Sequence, residues 1–336
     1  MRLLILTQKV DQNDPILGFF HRWVEEFSKH YEKITVICLE EGEHNLPSNV
    51  QVFSLGKEKK KSKINYVINF FRYIWQERNN YDAVFVHMNP EYVIFGGLFW
   101  GLWRKRIGLW YVHRAVNFRI WLAEKFANVI FTSAPESFRT KSSKVKYVGH
   151  GIDTDRFKFS EISDTGKVLH VGRITRIKNV DVIMRAMGDR KLSLVGEVVT
   201  EEDKKYKKEL EGLVKNLNLE VEWLGAVLNS ELPEIYKDHS FSINAAPDGG
   251  MDKAVLEALS AGVPTFVSNR AFQGVFEGYS ELFMYEHKNS EDLKQKLNSW
   301  NTNDNKNEIM KNLSNNVSSK YSVGIVVNKI TQNINV

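Results

Sequence analysis

The sequence predicts an α/β protein made of two parallel-sheet domains with a cleft between them, and three observations carry that prediction. Short apolar, strand-like runs alternate with stretches of helical periodicity along the chain. The alternation lapses around Gly151 in a connector, GIDTDRFKFSEISDTGK, that has little apolar periodicity. A length of 336 residues exceeds one ordinary domain and suits two. The expected division is 1–160 and 161–320, followed by a helical tail, 321–336, for which a return onto the N-terminal domain is one arrangement.

Taken in order, LLIL is the first strand, and Asp11 to Gly18 is a loop holding Pro15. Phe19, Phe20, Trp23, Val24 and Phe27 then recur as the buried stripe of a helix. ITVICL and VQVFSL are the next strands, and GKEKKKSK is a basic linker. A helix comes next, with Tyr66, Val67, Phe70, Phe71 and Ile74 on its apolar side. AVFVHM is a strand ending at His87 and GLWYVH another ending at His113. NVIFTSA and VKYVG complete the first series, with a helix opened by Pro135 and Glu136 between them. Strands separated by helices point to a parallel sheet covered on both faces. The second series runs KVLHVGR, a helix from Asn179, KLSLVG, a charged helix from Glu201 to Leu217, VEWLG, a helix around Ile235 and FSINA. LFMYE and a helix from Ser290 finish it.

Composition narrows the class. Hydrophobic content of 43% with 26% charged residues describes a globular chain. The single cysteine, Cys38, lies in the strand-like run ITVICL; it excludes an internal disulfide framework and fits a reducing, cytoplasmic setting. MRLLILTQKV turns polar too soon for a signal peptide, and the most apolar window, Tyr92 to Trp103, is too short to span a bilayer. The net charge of +5 is compatible with acidic membranes, nucleic acid or phosphorylated ligands and does not choose among them.

The chemistry concentrates in the second half. Asn244 to Asn269 reads as a strand end, a glycine-containing loop, a helix with Ala254, Val255, Ala258 and Leu259 on one side, and a strand after Gly262 and Pro264. The loop from Asp248 to Lys253 therefore meets a helix N-terminus, where free N–H groups and the helix dipole suit an anion. Glu257, one turn in, is a carboxylate able to accept hydrogen bonds from a ligand's hydroxyls; a surface glutamate is the plainer alternative. Gly172 and Arg173 end the first strand of this half, with Lys178 just before the next helix. A guanidinium fork and an ammonium converging on that helix start would hold a diphosphate and stabilise its charge as it departs. Solvent-facing cations are the alternative.

GRITRIKNVDVIMRAM, VEWLGAVLNSELPEIYKD and DKAVLEALSAGVPTFVSN resemble the donor-binding domain of the retaining glycosyltransferases of family four, the glycosyl transferases group 1. HGIDTDRF resembles the family's segment at the domain junction, with His150 where asparagine is usual. Gly18 before its helix, His113 after a strand, and VIFTSAPES are looser likenesses in the first half. The resemblance implies GT-B architecture, two Rossmann-like domains facing across a cleft, and transfer of a hexosyl group from a nucleoside-diphosphate sugar, a co-substrate, with no resident cofactor. The acceptor hydroxyl would belong to a glycan or lipid-linked molecule of the cell envelope.

The same resemblance implies roles by position. Arg173 and Lys178 hold the diphosphate, and Glu257 accepts from the ribose hydroxyls. The N–H groups of Gly250, Met251 and Asp252 face sugar and phosphate, Val227 lines the base pocket, and Gly18 admits the phosphates to the N-terminal loop. His113 lies beside the transferred sugar, a core histidine being the alternative. One departure stands out: eight positions before Glu257, where the family usually has an acid, the chain has Gly249, leaving Asp248 as the nearest substitute. The glycine pair usual after the second strand is altered to Gly196-Glu197-Val198. Retention would need no enzymic nucleophile and, with two cations and a helix start supplying positive charge, no metal. Asp153-Thr154-Asp155 is read as junction structure rather than as a metal motif.

Phe70, Phe71, Trp75, Phe95, Phe99, Trp100, Trp103 and Trp110 lie close in sequence to Lys59, Lys60, Lys61, Arg104, Lys105 and Arg106. That mixture suits peripheral attachment to an anionic membrane, with aromatics in the core and ordinary surface lysines as the alternative. Two further readings stay open: a non-catalytic nucleotide-sugar-binding protein, and a nucleic-acid-binding protein suggested only by basic charge and interleaved aromatics. No nucleic-acid motif is present, and nucleic acid is not expected as a partner.

Overall fold

The structure is a computed structural model that describes residues 1–113, 117–140 and 142–335, so the last residue of the expected tail, 336, lies outside them. The chain forms two compact units. They divide between Gly151 and Ile152, ahead of the expected boundary at 160, because the connector packs onto the second unit. Thus Ser160 N donates to Ala261 O and Ser260 Oγ to Phe157 O.

The first unit contains β1 (Arg2–Val10), α1 (Phe19–Ser28), β2 (Lys33–Glu41), β3 (Val50–Ser54), α2 (Lys63–Gln76), β4 (Ala83–His87), α3 (Pro90–Leu102), β5 (Arg106–Trp110), α4 (Phe118–Phe126), β6 (Val129–Thr132) and β7 (Val145–Tyr147). The strands pair in parallel in the order β3-β2-β1-β4-β5-β6-β7. Side chains alternate across a strand, so Leu3 and Ile5 pack on one face with Phe20, Trp23 and Phe27 of α1. Leu4 and Leu6 pack on the other face with Phe70 and Ile74 of α2, Val93 and Trp100 of α3, and Ile120 and Ala123 of α4.

Two readings of this unit are corrected. Pro135 and Glu136 open a single 3-10 turn, Pro135–Ser137, because Phe138 returns to extended backbone and buries its ring. Val67, expected on the apolar side of α2, is exposed, since the sheet takes Phe70 and Ile74 and leaves the flank bare.

The second unit contains β8 (Val168–Val171), α5 (Val180–Ala186), β9 (Leu192–Val195), α6 (Glu201–Leu217), β10 (Val221–Gly225), α7 (Leu232–Lys237), β11 (Phe241–Asn244), α8 (Lys253–Ser260), β12 (Thr265–Val267), α9 (Gln273–Phe276), α10 (Ser280–Phe283), α11 (Ser290–Asn301) and α12 (Lys306–Tyr321). The parallel order is β10-β9-β8-β11-β12, so the winding direction reverses between β8 and β11. Chain segments leaving those two strands diverge and leave a crevice at the carboxyl ends, where ligands of open α/β sheets bind. LFMYE, expected to contribute to the core, supplies a short helix around buried Phe283 and a single bridge from Met284 to Val267. The last helix, α13 (Val323–Ile334), belongs to the first unit, where Val326, Val327 and Ile330 join the α1 face of the core.

Candidate functional site

The crevice at the reversal point collects most of the residues expected in the second unit. β8 ends at Val171 and hands over to Gly172 and Arg173; a 3-10 turn, Arg176–Lys178, then leads into α5. Gly196, just past β9, holds this loop down. Its φ is +147°, and a Cβ there would run into the Gly172 carbonyl oxygen, so only glycine fits. Gly172 N donates to Val195 O at 2.9 Å and Ile174 N to Glu197 O at 2.9 Å. Arg173 itself is exposed and makes no ion pair or hydrogen bond among the described residues.

Lys178 folds back across the crevice. Its Nζ lies 2.6 Å from Asp252 Oδ2, with only 14% of its side chain exposed. Asp252 is the residue preceding α8, yet its carboxylate does not cap the helix; it accepts from Lys178 and, at 2.8 Å, from Asn244 Nδ2. Burial works to raise the Asp252 carboxyl, but Lys178 and Asn244 outweigh it and hold the group below its ordinary value. The start of α8 is therefore uncapped by that side chain, and the N–H groups of Gly250, Met251 and Asp252 have no hydrogen-bond partner among the described residues. Asn269 braces the loop before them, accepting from Gly249 N at 3.3 Å and donating to Gly250 O at 3.0 Å.

Beneath the crevice, His170 is fully buried; its Nδ1 is 3.0 Å from Ile243 O and its Nε2 has no partner among the described residues. Burial pushes its pKa down to about 4, so the ring is neutral near pH 7.

Glu257 is buried on α8, which overturns the plainer surface reading. Burial pushes its carboxyl up, against the enclosed Lys253 one turn earlier, the Asn229 amide and Arg156. Lys253 is itself pushed down to about 8 by burial, against the pull of Glu257. Arg156 donates to Asn229 Oδ1 at 2.8 Å and approaches Asp153. Val227, in the loop after β10, is half-buried against the core cluster that includes Phe157, Leu232, Tyr236 and Ala258. The connector, the loop after β10 and α8 thus converge on one carboxylate.

Asp248, the nearest substitute for the acid missing at Gly249, lies against the turn after β12. Its carboxylate accepts from Arg270 N at 2.8 Å and Arg270 Nε at 2.6 Å, held by the turn after β12. Among the described residues, no group of three or more His, Cys, Asp or Glu is placed to hold a metal ion. Asp153 accepts from Arg156 N, as the first residue of a turn does.

Gly18 and His113 lie in the first unit. Gly18 precedes α1 with φ in the ordinary helical range; a Cβ would stand 2.5 Å from Asp14 O and 2.9 Å from Gln12 O, so close packing demands the glycine. His113 is exposed beyond β5, which stops at Trp110 instead of at His113, and its ring lies edge-on to Tyr111 at 5.6 Å. In the same unit β4 ends at His87, buried, stacked on Phe20 at 4.0 Å and 3.2 Å from Thr7 Oγ1.

Sequence reasoning missed Asn244, Asn269, Arg156, Asn229 and Lys253. Two asparagines flanking the same glycine loop, each at a strand end, were the available signal; Arg156 and Asn229 had none, being brought to Glu257 only by folding.

Residues 151–317 match the family model described as glycosyl transferases group 1. Through these residues the chain belongs to the glycosyl transferases group 1 family. No curated protein sequence matches this glycosyltransferase. Its fold matches Anabaena HepE in complex with UDP at a TM-score of 0.77 and 16% identity, over 99% of each chain. It matches sucrose-phosphate synthase from Thermosynechococcus elongatus at 0.75 and 13%, over 99% of this chain and 98% of the other. A variant of S. aureus TarM in complex with fondaparinux, α-GlcNAc-glycerol and UDP matches at 0.70 and 12%, over 100% of both chains. At such identities these likenesses establish the GT-B fold, and the glycosyltransferase's own chemistry rests on the site above.

Proposed function

We propose that the protein transfers a hexosyl group, with retention of configuration and without a metal, from a nucleoside-diphosphate sugar to a hydroxyl of a glycan or lipid-linked acceptor. The observation that carries this reading is the convergence at the β8/β11 crevice. Among the described residues, the Lys178 ammonium lies 2.6 Å from Asp252, the N–H groups of Gly250, Met251 and Asp252 in the loop before α8 have no partner, and Arg173, exposed and without a side-chain partner, follows Gly172 at the end of β8. Donors of that number and kind match a diphosphate, and they gain most when its charge grows as the glycosidic bond breaks. The burial of Glu257 beside Asn229 supports its role as the acceptor for ribose hydroxyls, since an unmatched hydroxyl there would be costly.

UDP-sugars are the first donors to test, because UDP occupies the structurally similar HepE and TarM. A thermal-shift panel of UDP-, GDP- and ADP-sugars in EDTA, followed by NMR of the product anomer, tests the reading. A donor at one hundred times its dissociation constant adds about 2.7 kcal/mol. Absence of stabilisation by every nucleotide, a strict metal requirement, or an inverted product each removes the corresponding part. Stabilisation without transfer or hydrolysis would favour the non-catalytic binding protein.

A further inference from the structure

We propose that the outer surface of the α2–α3–α4 layer in the first unit docks onto an anionic lipid bilayer. This inference goes beyond the donor chemistry and does not depend on it. The three helices give the sheet Phe70, Ile74, Val93, Trp100, Ile120 and Ala123. Their opposite flanks are apolar too. Ile64, Ile68 and Trp75 stand out from α2, and Phe95, Leu98 and Leu102 from α3, with Leu98 60% and Leu102 72% exposed. On α4 the pair Phe118 and Trp121 stacks at 5.5 Å, both exposed. Single exposed apolar residues are ordinary, whereas a whole layer presenting them marks an interaction surface.

The charges around this surface choose the partner. Lys59, Lys60, Lys61 and Lys63 crowd the turn before α2 and its first residue, Arg72 projects beside Ile68, and Arg104 follows α3. All six are exposed and make no ion pair among the described residues. Of the acids on these elements, Glu58 accepts from Ser54 Oγ at 2.7 Å and feels the charge of the adjacent Lys59, and Glu91 pairs with Arg119 at 2.7 Å. Arg78 lies 5.1 Å over the Trp75 ring and Lys125 5.3 Å over Trp121, the pairing of cation with interfacial aromatic that suits a headgroup region.

A cleft of about 460 Å³ between α2 and α3, lined by Phe71, Trp75, Phe99 and Trp103 among others, could admit an acyl chain. Among the described residues no helix is long and apolar enough to cross a membrane, so the attachment is interfacial. The structure also sorts the aromatics expected at a membrane. Phe70, Trp100 and Trp110 are core, and Trp75 and Phe95 are surface.

The test is co-sedimentation of the full chain, at physiological salt, with vesicles of phosphatidylcholine alone and of phosphatidylcholine mixed with phosphatidylglycerol. Two variants accompany the wild type: Lys59→Glu/Lys60→Glu/Lys61→Glu, and Leu98→Glu/Leu102→Glu, all at exposed positions. Circular dichroism and UDP thermal shift serve as controls for fold and donor site. The wild type should sediment with the anionic vesicles and far less with the neutral ones. Each basic residue near the surface contributes about 1 kcal/mol, so the triple variant should partition roughly a hundredfold more weakly. The leucine variant should lose binding with its fold intact. No binding to either vesicle, equal binding to both, or undiminished binding by both variants overturns the proposal. A wild-type dimer that the leucine variant breaks, without vesicle binding, gives the face to a second copy and overturns it equally.

Discussion

Replacing Lys178 and Arg173 separately distinguishes an anion grip from a structural ion pair, because the two cations differ in what else they hold. Among the described residues Lys178 has one side-chain partner, Asp252, at 2.6 Å. Among the described residues, alanine at 178 leaves that carboxylate to Asn244. A fully buried charge stripped of its partner costs about 3–5 kcal/mol; with 28% of the Asp252 side chain exposed, about 2 kcal/mol is expected. Arg173 is exposed without a protein partner among the described residues, so alanine there should leave stability within about 0.5 kcal/mol.

On the ligand side both cations should matter. Losing a charge-assisted contact to a diphosphate costs about 1.5–3 kcal/mol, a roughly ten- to hundredfold weaker UDP affinity. Urea unfolding with and without UDP reads both quantities on each variant. The double variant Lys178→Met/Asp252→Asn removes both charges together; it should recover most of the stability lost in Lys178→Ala while remaining a poor UDP binder. Wild-type UDP affinity in Arg173→Ala would refute the reasoning, as would full UDP binding in the double variant, since either result means that no phosphate sits between these cations.

Four further outcomes are expected. Gly196→Ala should abolish UDP stabilisation although no ligand role is given to Gly196, because its Cβ would displace the Gly172 carbonyl and with it the Arg173 loop; circular dichroism and thermal shift would show a folded protein that no longer responds to UDP. Glu257→Ala should weaken UDP by roughly tenfold or more through lost ribose contacts, while leaving the affinity for inorganic pyrophosphate unchanged, as competition titrations would show. The buried His170 resists protonation down to about pH 4 whereas the unfolded chain takes up that proton near 6.5, so its contribution is complete above 6.5 and is lost as the pH falls toward 4. That loss is roughly 3 kcal/mol, and urea unfolding across this range should show a shallower slope for His170→Asn. Gly18→Ala should destabilise the first unit by about 1–3 kcal/mol, since its Cβ meets two backbone oxygens that cannot step aside.

Much of the protein was written locally in its sequence. Strand and helix periods follow from which residues must be buried, so β8 through β12 and the helices between them were legible from apolar spacing. Arg173, Lys178 and the loop before α8 could be named because strand ends and helix starts are local features, and Gly262 with φ +91° ends α8 as its residue type foretells.

Folding decided the rest. Val67 and Trp75 share the composition of core residues, yet they face outward because the sheet has room for only one flank of α2. Asp248 lies one residue from the position where the family has its acid, and its carboxylate accepts from Arg270, 22 positions further on. Pairings such as Lys178 with Asp252 and Arg156 with Asn229 join residues 74 and 73 positions apart. Periodicity fixes which side of an element is buried, whereas the partner of a polar group depends on which loops the sheet order brings to one edge, and that is set only when the whole chain has closed around its core.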